Sequence, residues 1–300
     1  MGNLTTFSKK YSTPKELVDI LAERGLEFDD RSRAEAYIKR IGYYRFSAYS
    51  YPLLKTPKTL QQFKEGSSFD LALDMYRFDR HLRLLMFNQI EKIEVAVRSA
   101  IVNITSKETQ DPFWMTNPKY FANEKKFQKT LELIKIEYGR SKEDFIEHFR
   151  NTYSDSFPPA WIIAEILPLG VLTRVYDNLA SNKIRKLIAQ EFDLNIPVFT
   201  SWMTIITVTR NSCCHHARVW NKVWSLRALY MKKMTRPWVS SDVKQGRIFF
   251  TLCIIKYFVN IIAPKNDMTA KLRWLFTDYP NIDAKAMGFP NIWEMEPLWR

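Results

Sequence analysis

Eight glycines in 300 residues, less than half the usual frequency of about 7%, limit what this chain can fold into. They stand at positions 2, 25, 42, 66, 139, 170, 246 and 288, never two within a helical turn of each other. Dinucleotide fingerprints, Walker loops and nucleophile elbows all need clustered glycines for close backbone approach, so all three are excluded. Many-stranded β folds need turn glycines at short intervals and are disfavoured as well. What remains is an all-α chain. Its 46% hydrophobic and 14% aromatic content is ample for a packed core.

Helix punctuation agrees. Ser12-Thr13-Pro14 opens a helix that Gly25 closes, and Asp29-Asp30 opens a second ending near Gly42. After Ser67-Ser68, the residues Leu71, Met75, Phe78, Leu82, Leu85, Ile90, Ile93, Val97 and Ile101 track one face of a long helix running to about 104. Pro112 and Pro118 make 111–123 a loop. Further helices are expected at about 124–138, 141–153, 159–166, 169–180 and 182–192. A long one should start near Pro197 and run through Arg210 towards Trp220, followed by two more at about 241–263 and 267–278. With no repeat and no linker, the chain reads as one helical unit: an N-terminal basic and aromatic region over 1–66, then a helical domain over 67–300.

The longest apolar run, Ile248–Ala263, carries Lys256 in its middle and is too short to cross a bilayer comfortably. It reads as a core helix, so no membrane partner is expected. Cys213, Cys214 and Cys253 form no C-x-x-C pair, and adjacent cysteines make poor disulfides. With no apolar signal core at the N-terminus, a cytoplasmic location follows.

Charge is uneven. Residues 67–209 hold 18 basic and 18 acidic side chains, whereas the first 66 residues carry +4 and the last 91 carry +9. Between Arg210 and Arg247 nine basic residues face one acid, Asp242, with Trp220, Trp224, Tyr230 and Trp238 interleaved. A second acid-free run between Glu35 and Glu65 mixes lysine and arginine with five tyrosines. Cations neutralise phosphates and aromatic faces stack on unpaired bases, so RNA is the expected partner. The candidates between Glu35 and Glu65 are Arg40, Tyr43, Tyr44 and Arg45. Those between Arg210 and Arg247 are Arg218, Trp220, Asn221, Lys222, Lys232, Lys233 and Arg236. A solvated basic surface over core aromatics is the plainer alternative.

Two of only four histidines sit together in Arg210-Asn211-Ser212-Cys213-Cys214-His215-His216. Consecutive helical residues point about 100° apart and cannot close around one ion, so neither metal nor cofactor is expected. A Cys–His nucleophile pair lacks an orienting third group, and simple core packing stays open. The remaining chemistry is phosphodiester cleavage. Asn211 and His215 are i and i+4 and share a helix face, and the long side chain of Arg210 can reach a phosphate from one position away. Histidine is the natural acid–base near neutral pH, and arginine clamps a phosphate through two N–H groups. With no acidic cluster, the nucleophile would be the RNA's own 2′-OH, leaving a 2′,3′-cyclic phosphate. One histidine cannot easily be base and acid in a single step, which points to a second chain. Glu91, Glu94 and Arg98 at i, i+3 and i+7 form an intrahelical ladder, or else Glu94 and Arg98 orient the active-site helix. His216 either binds phosphate or fills a gap beside Trp220.

The run Arg210–Asn221, RNSCCHHARVWN, resembles the signature of the Abi-like (AbiD/AbiF) abortive-infection proteins. Three further segments match the same family in order: YIKRIGYYRFSAYSYPLLK at 37–55, FDRHLRLLMFNQIEKIEVAVRSAI at 78–101 and PPAWIIAEILPLGVLTRVYDNL at 158–179. The resemblance covers roughly residues 15–225. It implies a HEPN-like helical bundle with an N-terminal elaboration and extra C-terminal helices. It also implies a metal-independent endoribonuclease whose RNxxxH site, Arg210, Asn211 and His215, is composite across a homodimer. Some members are associated with a structured noncoding RNA, so a non-catalytic RNA-binding scaffold is the alternative. A third option is a dimerising regulator whose motif is purely structural. The family commonly has a small residue where Cys214 stands, a change of packing volume more than of chemistry.

Overall fold

A computed structural model describes residues 6, 8, 10–231, 233–240 and 242–300. Among them the regular elements are all helical, with isolated β-bridges but no strand. The chain divides into two compact units, 1–81 with 274–282, and 82–273 with 283–300.

In the first unit, α1 (Pro14–Glu23) starts where Thr13 and Glu16 form a reciprocal capping box, each side chain accepting from the other's backbone N–H. Helix α2 (Arg31–Ile41) starts where Asp30 accepts from the Arg33 N–H, and it ends at Gly42, whose φ of 82° favours glycine. The chain then re-enters helix as α3 (Tyr43–Ser50), an element the sequence pattern does not announce. Aromatic residues are only moderate helix formers; burial of Phe46 and Tyr49 sustains these two turns. Phe46 stacks on Phe69 at 4.7 Å, and the Tyr49 hydroxyl donates to the buried Asp79 carboxylate at 2.5 Å.

Helix α4 (Phe69–Thr109) has 41 residues, about 60 Å at 1.5 Å per residue. It gives residues 69–81 to the first unit and 82–109 to the second. Met75, Phe78, Leu82, Ile90, Ile93, Val97 and Ile101 are buried as their spacing predicts, while Leu71 and Leu85 are only half-buried.

The second unit adds α5 (Glu124–Arg140), α6 (Asp144–Thr152), α7 (Ala160–Ile163), α8 (Leu169–Asn178), α9 (Asn182–Gln190) and α10 (Ile196–Cys214). Helix α10 packs on α8, on α9 and on α11 (Ile248–Ile262). Every residue from Ile248 to Val259 is buried, which accounts for an apolar run at core length; among the described residues no helix is long and apolar enough to cross a membrane. The last helix, α12 (Met268–Asp278), shares its residues between the units. The loop over 111–123 holds two short 3₁₀ turns and the buried Trp114, whose indole N–H donates to Ser106 at 3.0 Å.

The described residues of 215–247 carry no helix, so α11 begins about seven residues later than expected, at the first residue of the apolar run. The segment is tied down by specific bonds. Trp202 of α10 donates to the Leu229 carbonyl at 3.0 Å and stacks on Trp238 at 5.0 Å; Ser240 donates to Glu296 through both its N–H and its hydroxyl.

Candidate functional site

Helix α10 is built with two unlike sides. Asn195 caps its start by accepting from the Val198 N–H, and Pro197 sits in its first turn. Trp202, Met203, Ile206, Thr209 and Cys213 are buried, whereas Thr204, Val208, Asn211 and His215 are exposed. The 3.6-residue period thus places Asn211 and His215 together on the solvent stripe.

The helix does not run on towards Trp220. It stops at Cys214, and His215 is its C-cap. The His215 N–H still closes a bond on the Asn211 carbonyl at 2.9 Å, so the two remain one turn apart. The His216 N–H then bonds to the Cys213 carbonyl and the Ala217 N–H to the Ser212 carbonyl, with His216 at φ 54°. This pair of bonds is a Schellman cap, in which glycine usually occupies the left-handed position. Here a histidine holds it, and no glycine marks the helix end in the sequence.

Arg210 lies off the solvent stripe and turns towards α4. Its Nε stands 3.4 Å from Glu94 Oε2, while Glu94 Oε1 faces Arg98 Nη2 at 3.4 Å. One carboxylate, its side chain 13% exposed, is therefore shared by two guanidinium groups that are 29% and 14% exposed. Arg98 reaches further, to the Leu167 carbonyl at 3.4 Å and the Glu165 carboxylate at 3.8 Å. Glu94 and Arg98 make the intrahelical pair that their spacing predicts, and Glu94 also braces the motif helix. Glu91, by contrast, is exposed. Glu165 was not singled out from the sequence, although it lies within the matching segment 158–179. Among the described residues the Arg210 guanidinium meets Glu94 as an ion pair without a hydrogen bond: its Nε is buried with no hydrogen-bond partner.

The other candidates scatter. In the first unit Arg40, Tyr44 and Arg45 are exposed, Tyr44 at 93%, and Tyr43 is half-buried. In the second, Trp220 is 3% exposed, so its ring is core and offers no face to a base. Trp224 is buried too, with the Lys222 ammonium 4.1 Å above its ring. Arg236 is paired with Asp193, Asn221 accepts from Arg247 at 3.2 Å, Arg218 is half-buried and Lys233 is exposed. His216 is exposed as well; Lys232 lies outside the described residues. Among the described residues no group of three His, Cys, Asp or Glu is placed to hold a metal ion.

Fold and site together define an all-helical protein carrying an Arg-Asn-His motif on the last turn of an internally braced helix. The chain belongs to the Abi-like protein family, whose sequence model matches residues 36–221. That span takes in α3, α4, the Glu94–Arg210 brace and the whole of α10. No curated protein and no solved structure matches the chain. Family membership points to a part in abortive infection.

Proposed function

We propose that this protein is a metal-independent endoribonuclease of the HEPN superfamily, acting in the cytoplasm in abortive infection against phage. The observation that carries the reading is the arrangement on α10: His215 and Asn211 exposed one turn apart, beside an arginine whose guanidinium lies at ion-pair distance from a carboxylate it shares with Arg98.

The chemistry follows from what each group can do. His215, as neutral imidazole, takes the proton of a ribose 2′-OH as that oxygen attacks the adjacent phosphorus. The guanidinium of Arg210 stabilises the negative charge gathering on the non-bridging oxygens. Asn211 positions the phosphate. The P–O5′ bond breaks, the 5′-oxygen collects a proton from a second acid, and the products end in a 2′,3′-cyclic phosphate and a 5′-hydroxyl. The second acid is His215 of another copy, which makes the active species a homodimer. An exposed apolar stripe supports this: Leu84, Phe87 and Val95 lie on one face of α4, each 39–55% exposed, and Val208 is on the solvent stripe of α10.

Incubating a mixed RNA pool in EDTA with the wild type and with His215→Ala tests the reading. Cutting to cyclic-phosphate ends by the wild type alone is the expected result. Equal behaviour of the two proteins refutes catalysis by His215 and leaves an RNA-binding scaffold.

A further inference from the structure

A concavity of about 600 Å³ opens in the segment that joins α10 to α11, within the range of small-ligand sites. Its lining comes from residues 223–230 and 242–247, beyond the end of the family match at 221. Arg227, Lys244 and Arg247 line it with Tyr230, against one acid, Asp242.

Four features suit it to a phosphorylated ligand. Among the described residues none of its three cations forms an ion pair, so their charge is uncompensated except by Asp242 at longer range. Both arginines are anchored through one nitrogen. Arg227 Nη1 donates to the Trp224 carbonyl at 2.7 Å, and Arg247 Nη1 donates to Asn221 Oδ1 at 3.2 Å. Anchoring fixes each guanidinium plane and leaves the Nη2 edge for a phosphate oxygen. Gly246 makes the approach possible, because a Cβ there would stand 2.9 Å from Arg227 Nη1 and 3.2 Å from the Trp224 carbonyl. Finally, Tyr230 is 45% exposed and held edge-to-face against Phe250 at 5.5 Å, a fixed ring with surface to spare.

We infer that this concavity holds one phosphorylated, unpaired nucleotide of an RNA strand, its phosphate among Arg227, Lys244 and Arg247 and its base against Tyr230. The inference rests on the ribonuclease reading for the strand's being RNA, and gives that strand an anchor outside the RNxxxH motif.

The test uses the full chain carrying His215→Ala, in EDTA, titrated against a fluorescein-labelled decauridylate by anisotropy at 50–200 mM salt. Lys244→Gln and Arg247→Gln should each weaken binding about three- to tenfold and lower the salt slope by about one. Tyr230→Ala should weaken it about tenfold at every salt concentration, and Tyr230→Phe should restore it. Lys244 is exposed, so its variant tests charge without disturbing the core. Uridine 5′-monophosphate at millimolar concentration should compete. Undiminished binding by all three weakening variants overturns the pocket and leaves the ribonuclease reading intact. No binding by the parent protein overturns both. Pocket-dependent binding of the mononucleotide without binding of the decamer overturns the strand and identifies a free nucleotide as the ligand.

Discussion

Replacing Glu94 by glutamine preserves its shape and removes the charge that two arginines share. Each guanidinium lies 3.4 Å from the carboxylate; at an effective dielectric of about 20 that is a gross attraction of roughly 5 kcal/mol per pair. Most of it is offset by desolvation. Exposed pairs are worth up to about 1 kcal/mol, and breaking a buried one costs about 3–5 kcal/mol. With side chains 13–29% exposed, Glu94→Gln should cost about 2 kcal/mol, or about 4–8 °C in Tm for a unit of this size. The assay is a double-mutant cycle by thermal denaturation, pairing Glu94→Gln first with Arg210→Gln and then with Arg98→Gln. A coupling of about 1 kcal/mol is expected in each cycle. Cleavage, measured on the folded variant below its transition, should fall ten- to a hundredfold, because an arginine that has lost its carboxylate partner is misplaced at the phosphate. Additivity within about 0.5 kcal/mol in the Arg210 cycle, together with unchanged cleavage, would refute the bracing role.

Three other perturbations read different parts of the structure. His216→Gly should be neutral or stabilising by up to about 1 kcal/mol in urea denaturation, and His216→Val should cost about 1–2 kcal/mol, because the residue sits at φ 54° in the α10 cap; the same penalty for both would contradict a cap-limited position. Burial raises the Tyr176 phenol to about 12. Its contribution is therefore complete below the ordinary tyrosine value near 10 and is lost as the pH climbs towards 12. Tyr176→Phe should flatten that part of the alkaline decline in urea midpoint, while costing about 1 kcal/mol at neutral pH through the bond to the Arg185 carbonyl; an unchanged alkaline slope would count against it. Gly288→Ala should cost about 3 kcal/mol in chemical denaturation, since the new Cβ would meet the Arg247 Cβ at 2.6 Å at a φ of 92°; a loss below about 1 kcal/mol would contradict that contact.

What could be read from the sequence was mostly local. The start at Thr13-Pro14, the start at Asp30 and the stop at Gly42 mark two helices because each signal acts within four residues. The apolar face of α4 is legible because it persists over ten turns. Helix α3 was missed because its stability comes from Phe46 meeting Phe69, a contact that no local pattern encodes. The end of α10 was hidden because a histidine takes the left-handed position. Spacing placed Asn211 and His215 on one side, since their backbone bond survives the cap. It gave no sign that Glu94 and Arg210 meet, because they are far apart in the chain. Nor does alternation of cations with tryptophans reveal which way a ring faces: Trp220 and Trp224 point into the core and Tyr230 does not.

The exposed stripe Thr204, Val208, Asn211, His215 has a consequence for dose. Reactive groups set along the open side of a single helix offer a substrate one wall. If the opposite wall is another copy, the working enzyme forms in proportion to the square of protein concentration below the dissociation constant. A tenfold rise in protein would then bring about a hundredfold rise in cutting. Such a threshold lets a cell carry a small resting amount unharmed and turns a modest burst of synthesis into commitment.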